Sequence, residues 1–114
     1  MGVPSEARNN VAKLIGAGTG GNRYDGVGIG SDATAFSDSD TSLGTTVDTA
    51  TGLTASVAGD TLTLVGTFTG NSATVREATA FESVSNNLLA RQVISTVNVE
   101  TSDTLEITWD VEIQ

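Results

Sequence analysis

From Arg23 onward the apolar residues recur at every second position, and short polar turns interrupt the pattern roughly every ten residues. The last segment is the clearest: Leu105, Ile107, Trp109, Val111 and Ile113 fall on one face, and Glu106, Thr108, Asp110, Glu112 and Gln114 on the other. Thr61–Phe68 sets Leu62, Leu64, Gly66 and Phe68 against Thr61, Thr63, Val65 and Thr67, just after the hairpin signal Gly59-Asp60. Ala73–Glu82 sets Val75, Glu77, Thr79 and Phe81 against Thr74, Arg76, Ala78 and Ala80, between the turns TGNS (69–72) and SVSNN (83–87). Leu88–Val99 makes a long strand with a candidate break near Ser95, and TSD at 101–103 is the last turn. Arg23–Gly30 and, more weakly, Leu53–Val57 add further strands around a polar loop at 31–43 with room for one helical turn. About six to eight short strands joined by turns predict an all-β chain, an antiparallel β-sandwich of jelly-roll or Greek-key-like form.

One segment has a different period. In PSEARNNVAKLI (4–15), Ala7, Val11, Leu14 and Ile15 form a stripe, with Ser5 as N-cap or Pro4 in the first turn, and Glu6 near the helix N-terminus. Gly16 ends this helix. The division is therefore an N-terminal helix with a glycine-rich hinge (1–21) and a β-sandwich (22–114). At 114 residues, 38% of them hydrophobic, the chain has enough material for one modest core. Thr is the commonest residue, which suits strands and turns.

KLIGAGTGGNRYDGVGIGSD (13–32) resembles a nucleotide-binding loop only in its glycine count. A dinucleotide fingerprint runs strand, glycines, helix, so that the helix N-terminus receives the phosphates. Here the order is helix, glycines, strand, and the Gly-Lys-Ser/Thr of a P-loop is absent. The glycines serve backbone freedom and close approach instead. Gly26 and Gly28, with Val11, Leu14 and Ile15 of the helix stripe, are candidates for packing against a neighbouring chain.

The chain has no cysteine and no histidine, so it lacks thiolate metal ligands, disulfides, the usual general base and the His of a catalytic triad. Fourteen acidic residues against five basic give a net charge of −9, which repels nucleic acid and anionic membranes. Only one of the five basic residues is a lysine, and the apolar side chains are small, which fits a protein adapted to high salt. No signal-peptide pattern opens the sequence, and the reading is synthesis in the cytosol.

The acidic run SDSDTS has the oxygen ligands of a calcium loop but not its full pattern. Counting from Asp38, Leu43 stands where glycine is required and Thr49 where the bidentate glutamate is required, so an EF-hand fails. Asp32, Asp38 and Asp40 are left as a looser candidate oxygen set for a structural cation such as Ca²⁺, the one cofactor considered. Asp110 and Glu112 sit about 7 Å apart on one strand face, with no cluster of aromatic residues to stack a sugar, and they read as a wet sheet face rather than a glycosidase pair. Arg76 and Arg91 are candidates for ion pairs with acids such as Glu77 or Glu82, or with acids across a subunit interface.

The C-terminal half, NLLARQVIS followed by TVNVETSDTLEITWDVEI, resembles a pattern found in small structural proteins of tailed viruses. NRYDGVGIGSD, a loop ending SLGT, and DTLTLVGTFTG agree in order, so the likeness spans roughly residues 22–114. Members of that group are described variously as tail, tail-fibre or capsid-associated proteins. The resemblance implies a β-sandwich in a virion and brings no catalytic residues. With the acidic, lysine-poor composition it suggests a virus of halophilic archaea. The expectation is a non-enzymatic capsid decoration or turret protein, a homo-oligomer whose partners are its own copies and the major capsid protein, made in the host cytoplasm. A tail or tail-fibre component is the alternative. A glycan- or host-surface-binding module is the rival from another class, and the aromatic content of 4% counts against an aromatic sugar platform.

Overall fold

The computed structural model describes residues 3–16 and 23–112, with backbone alone for residues 9 and 12–16. The chain forms α1 (Ser5–Gly16) and seven strands: β1 (Gly26–Gly30), β2 (Thr46–Ala50), β3 (Ser56–Ala58), β4 (Thr61–Thr69), β5 (Ala73–Phe81), β6 (Leu88–Val99) and β7 (Thr104–Glu112). They build two antiparallel sheets, a four-stranded one in the order β2-β1-β5-β6 and a three-stranded one in the order β3-β4-β7. The chain passes repeatedly from one sheet to the other, so an all-β sandwich with one short helix describes it.

Alternation explains the core. Leu64 and Phe68 of β4 and Trp109 and Val111 of β7 bury the inner face of the smaller sheet against Val27, Ile29, Ala78 and Ala80 of the larger one. Thr63, Thr67, Glu106 and Asp110 stay on the outside. The sheets touch where Gly66 meets Val27: a β carbon on Gly66 would lie 2.7 Å from Val27 Cβ. The two-residue connection Gly59-Asp60 joins β3 to β4, with Gly59 at φ +61°.

Three differences from the sequence reading have physical causes. β2, TVDTA, carries little apolar content and lies at a sheet edge, so its strand character comes from pairing with β1. Of Leu53–Val57, only the end is strand, as β3; Leu53 and Ala55 pack on the core from an irregular segment. In β5 the register shifts between Val75 and Glu77 opposite Val93–Val97 of β6. This bulge interrupts β6 around Ser95, where a break was expected. It also turns Val75 to the core while Glu77, two residues on, shares the opposite face with Thr79 and Phe81. The even alternation read from the sequence is thus split at Arg76.

The helix docks on its own chain. Ala7 is fully buried in the core cluster and Val11 packs against it. The Tyr24 hydroxyl donates to the Ala7 carbonyl at 3.4 Å, and burial raises the Tyr24 pKa. Leu14 and Ile15 lie outside the described side chains.

The Gly66–Val27 contact generates a prediction. Alanine is ordinarily better than glycine in a strand interior, but here its methyl group collides with a stiff β-branched side chain. Gly66→Ala is expected to lower unfolding free energy by about 2 kcal/mol, measured by urea denaturation.

Candidate functional site

The outward face of the four-stranded sheet carries the most elaborate polar structure in the chain. Register places Gly26, Gly28 and Gly30 of β1 beside Phe81, Thr79 and Glu77 of β5. A β carbon on Gly26 would lie 2.6 Å from the Phe81 ring, and one on Gly28 2.7 Å from Thr79 Oγ1. The β5 side chains therefore lie across the bare backbone of β1, every residue of which is buried. The close approach that Gly26 and Gly28 permit within the chain is to Phe81 and Thr79.

Residues 31–45 fold back over this face, and Glu77 holds them there. Its carboxylate is fully buried and accepts four hydrogen bonds: Gly44 N at 2.8 Å and Arg91 Nε at 2.9 Å on Oε1, Asp32 N at 2.9 Å and Thr45 N at 3.0 Å on Oε2. Burial pushes the Glu77 pKa up, but the Thr45, Gly44 and Asp32 amides with Arg91 outweigh it, and the net displacement is downward. Both ends of the 31–45 loop are thereby tied to a single side chain on β5.

Arg91 is 2% exposed and completes the anchor. Its Nη1 donates to Asp40 Oδ2 at 3.3 Å, and its Nη2 lies 3.8 Å from Asp32 Oδ2. Of the partners considered for Arg91, Glu77 is engaged within the chain, where three carboxylates surround one guanidinium. Arg76, half-buried, reaches the Ser31 carbonyl at 3.4 Å. Asp32 is held below the usual carboxylate range by the Thr34 hydroxyl and amide, with Arg91 adding to the effect.

The candidate cation ligands do not converge. Asp32 and Asp40 share Arg91, while Asp38 turns to the helix N-terminus, accepting from Ser5 Oγ at 2.7 Å and Arg8 Nη2 at 3.0 Å. These bonds, Ser5 first, hold the Asp38 pKa down. Among the described residues no group of three or more metal-ligating side chains is arranged to hold an ion. Asp110 and Glu112 are exposed on β7, and Asp110 accepts from the Thr63 hydroxyl at 2.7 Å.

A second buried carboxylate shapes the neighbouring turn. Glu82 accepts the amides of Val84, Ser85 and Asn87 at 3.0–3.1 Å, and its own amide donates to the Asn87 carbonyl. Asn86, within this turn, has φ +59°, a left-handed conformation that Asn tolerates better than most residues. Glu6 of α1 accepts the Leu88 amide at 2.6 Å where β6 begins.

Between the loop, β2 and this turn lies a cavity of about 290 Å³, lined by Thr41, Ser42, Leu43, Thr46, Thr49, Thr79, Phe81, Asn86 and Leu88. A larger cleft of about 490 Å³ at the β3 edge is lined mainly by Tyr24, Leu53, Ala55, Val57 and Leu62, with Arg23 and Asp25 at its margin. The sequence reading offered Glu77 as a partner of Arg91 but did not identify the smaller cavity or the loop amides that Glu77 accepts. A glutamate inside an otherwise apolar-alternating strand, opposite a strand of alternate glycines, was the available signal.

Glu77→Gln leaves the Arg91 charge short of its closest partner and is expected to cost about 3 kcal/mol, read by thermal or urea unfolding. The sign with pH follows from the lowered pKa. Glu77 contributes fully above the ordinary glutamate value, about 4.3, and that contribution is lost as pH falls through the lower folded value. The native chain should therefore lose stability on acidification below about pH 4 more steeply than Glu77→Gln.

Comparison with protein-family models, curated proteins and solved structures finds no match to this chain.

Proposed function

We propose that this chain is a structural protein of a tailed-virus particle, assembling through copies of itself as a capsid decoration or turret subunit. The virion assignment rests on the sequence pattern described above. The structural observation that supports an assembly role is the free edge of β7.

β7 pairs with β4 on one side along Thr104–Glu112 without a register shift. Among the described residues its other side is the end of the sheet, an unbroken row of nine residues. Natural proteins blunt such edges with bulges, prolines or inward charges, because unpaired amides and carbonyls recruit another strand. β6, the edge of the facing sheet, has its bulge; β7 has none. Leu105 and Ile107, the inward-facing residues at its start, are only half-buried, as are Ile94 and Val97 of β6. Pairing of β7 with β7 of a second copy would extend the sheet and cover these side chains.

The outer face of β7 carries Glu106, Asp110 and Glu112. A two-fold antiparallel pairing that continues the sheet brings these carboxylates toward those of the partner. Salt near 1 M screens them within about 3 Å, whereas at ~0.1 M the screening length is about 10 Å. Assembly is therefore expected to weaken as salt falls from molar to ~0.1 M, measured by sedimentation equilibrium. Ile107→Lys, which places an inward charge on the edge, should shift the chain to monomer with its circular dichroism retained. An oligomer unchanged by both salt and Ile107→Lys excludes the β7 edge, and a particle reconstruction placing the chain in the tail selects the tail component instead.

A further inference from the structure

We propose that the cavity beneath the 31–45 loop is a binding site for an uncharged saccharide, sized for one pyranose unit of a longer glycan. This is independent of the β7 edge and of the virion assignment.

The lining has two chemistries. Leu43, Phe81 and Leu88 provide an apolar floor and flank. Around it stand the hydroxyls of Thr41, Thr46, Thr49 and Thr79 and the carboxamide of Asn86. None of these five side-chain polar groups makes a hydrogen bond to a described residue of the protein. The two buried carboxylates that flank the cavity are fully engaged: Glu77 accepts four bonds, and Glu82 accepts the amides of Val84, Ser85 and Asn87. Four of these groups, on Thr41, Thr46, Thr49 and Asn86, are exposed and stand available to a ligand around one apolar patch. A purely apolar ligand would strand them, at a cost for each polar group left unpaired.

Among the described residues no Asp, Glu, Lys or Arg lines the cavity, so these offer neither a counter-ion for phosphate, sulfate or carboxylate nor a carboxylate for a cation. The net charge of −9 adds a general repulsion against anionic ligands. A ligand with many hydroxyls, no charge and an apolar C–H face matches both halves of the lining. At about 290 Å³ the space lies at the small end of ligand sites, which begin near 300 Å³. Phe81 is 8% exposed and adds a small apolar contact beside Leu43 rather than a stacking platform, so the low aromatic content of the chain does not count against this pocket.

The site is preorganised from both sides. Glu77 and Arg91 fix the loop that carries Thr41 and Leu43, and the Glu82-capped turn fixes Asn86 in its left-handed conformation. Thr46 and Thr49 are exposed on β2, so their hydroxyls can be removed without disturbing the core.

The test is titration of the ¹⁵N-labelled full chain with neutral monosaccharides (glucose, galactose, mannose and N-acetylglucosamine), together with a glycan array holding neutral, sialylated and sulfated members. The expected result is amide shifts confined to Thr41–Thr49, Thr79–Phe81 and Asn86–Leu88, with a dissociation constant on the order of 1 mM for a single sugar. Binding should weaken at least tenfold in Thr49→Val and Thr46→Val, both with unchanged thermal unfolding. Absence of shifts for every sugar at saturating concentration, shifts located elsewhere, binding untouched by both variants, or binding only to sialylated or sulfated glycans would each overturn the proposal. Running the titration on Ile107→Lys keeps it separate from self-assembly: loss of the oligomer leaves sugar binding intact if the two surfaces are distinct.

Discussion

The carboxylate of Glu77 on β5 ties the loop from Ser31 to Thr45 onto the sheet and onto Arg91 of the paired strand β6. A buried carboxylate is costly unless its lone pairs are satisfied, and an ion pair alone seldom repays the desolvation of both partners. Here three backbone amides share the work with the guanidinium, so the charge is stabilised mainly by dipoles the chain must place somewhere in any case. The loop's amides in turn avoid burial without partners. Asp38, at the outer part of the loop, then fastens the start of α1 through Ser5 and Arg8. One acidic side chain thus organises the covering of a whole sheet face.

That covering explains the glycines of β1. A strand with side chains on both faces would hold the loop away from the sheet and leave Glu77 without its amides. With Gly26, Gly28 and Gly30, the side chains of Phe81, Thr79 and Glu77 lie down over β1. The inner face of the same strand keeps Val27 and Ile29 for the core. The strand is asymmetric by composition, apolar inward and bare outward, and the neighbouring strand supplies the missing layer.

Where local pattern and tertiary demand agreed, the sequence was legible: the β4 and β7 faces, the turns at 59–60, 69–72, 83–87 and 101–103, the limits of β6 and the N-terminal helix could all be read directly. β2 was not, because TVDTA has a single large apolar residue and becomes a strand only when β1 offers it an edge. The bulge at Arg76 was hidden by alternation that continues through it, since Val75 and Glu77 look equivalent until one turns inward and the other outward. The site was the least legible part. Its chemistry depends on which threonine hydroxyls are left without partners, and that is settled by the fold of a loop with no periodicity. Even Gly44, whose missing side chain lets Asp32 pack against it, carries no signal in isolation.

The acidic composition also divides into two populations with different physics. Glu6, Asp25, Glu77 and Glu82 accept backbone amides, and Glu77 and Glu82 are fully buried. They act as short-range connectors between segments, in contacts of hydrogen-bond length where mobile ions do not intervene. Glu106, Asp110 and Glu112 stand in water on the outer face of β7 and interact over distances that salt controls. Proton binding probes the first group and ionic strength the second. A net charge of −9 is therefore not one property of this chain: part of it holds segments of the fold together, and the exposed remainder sets the field that salt screens.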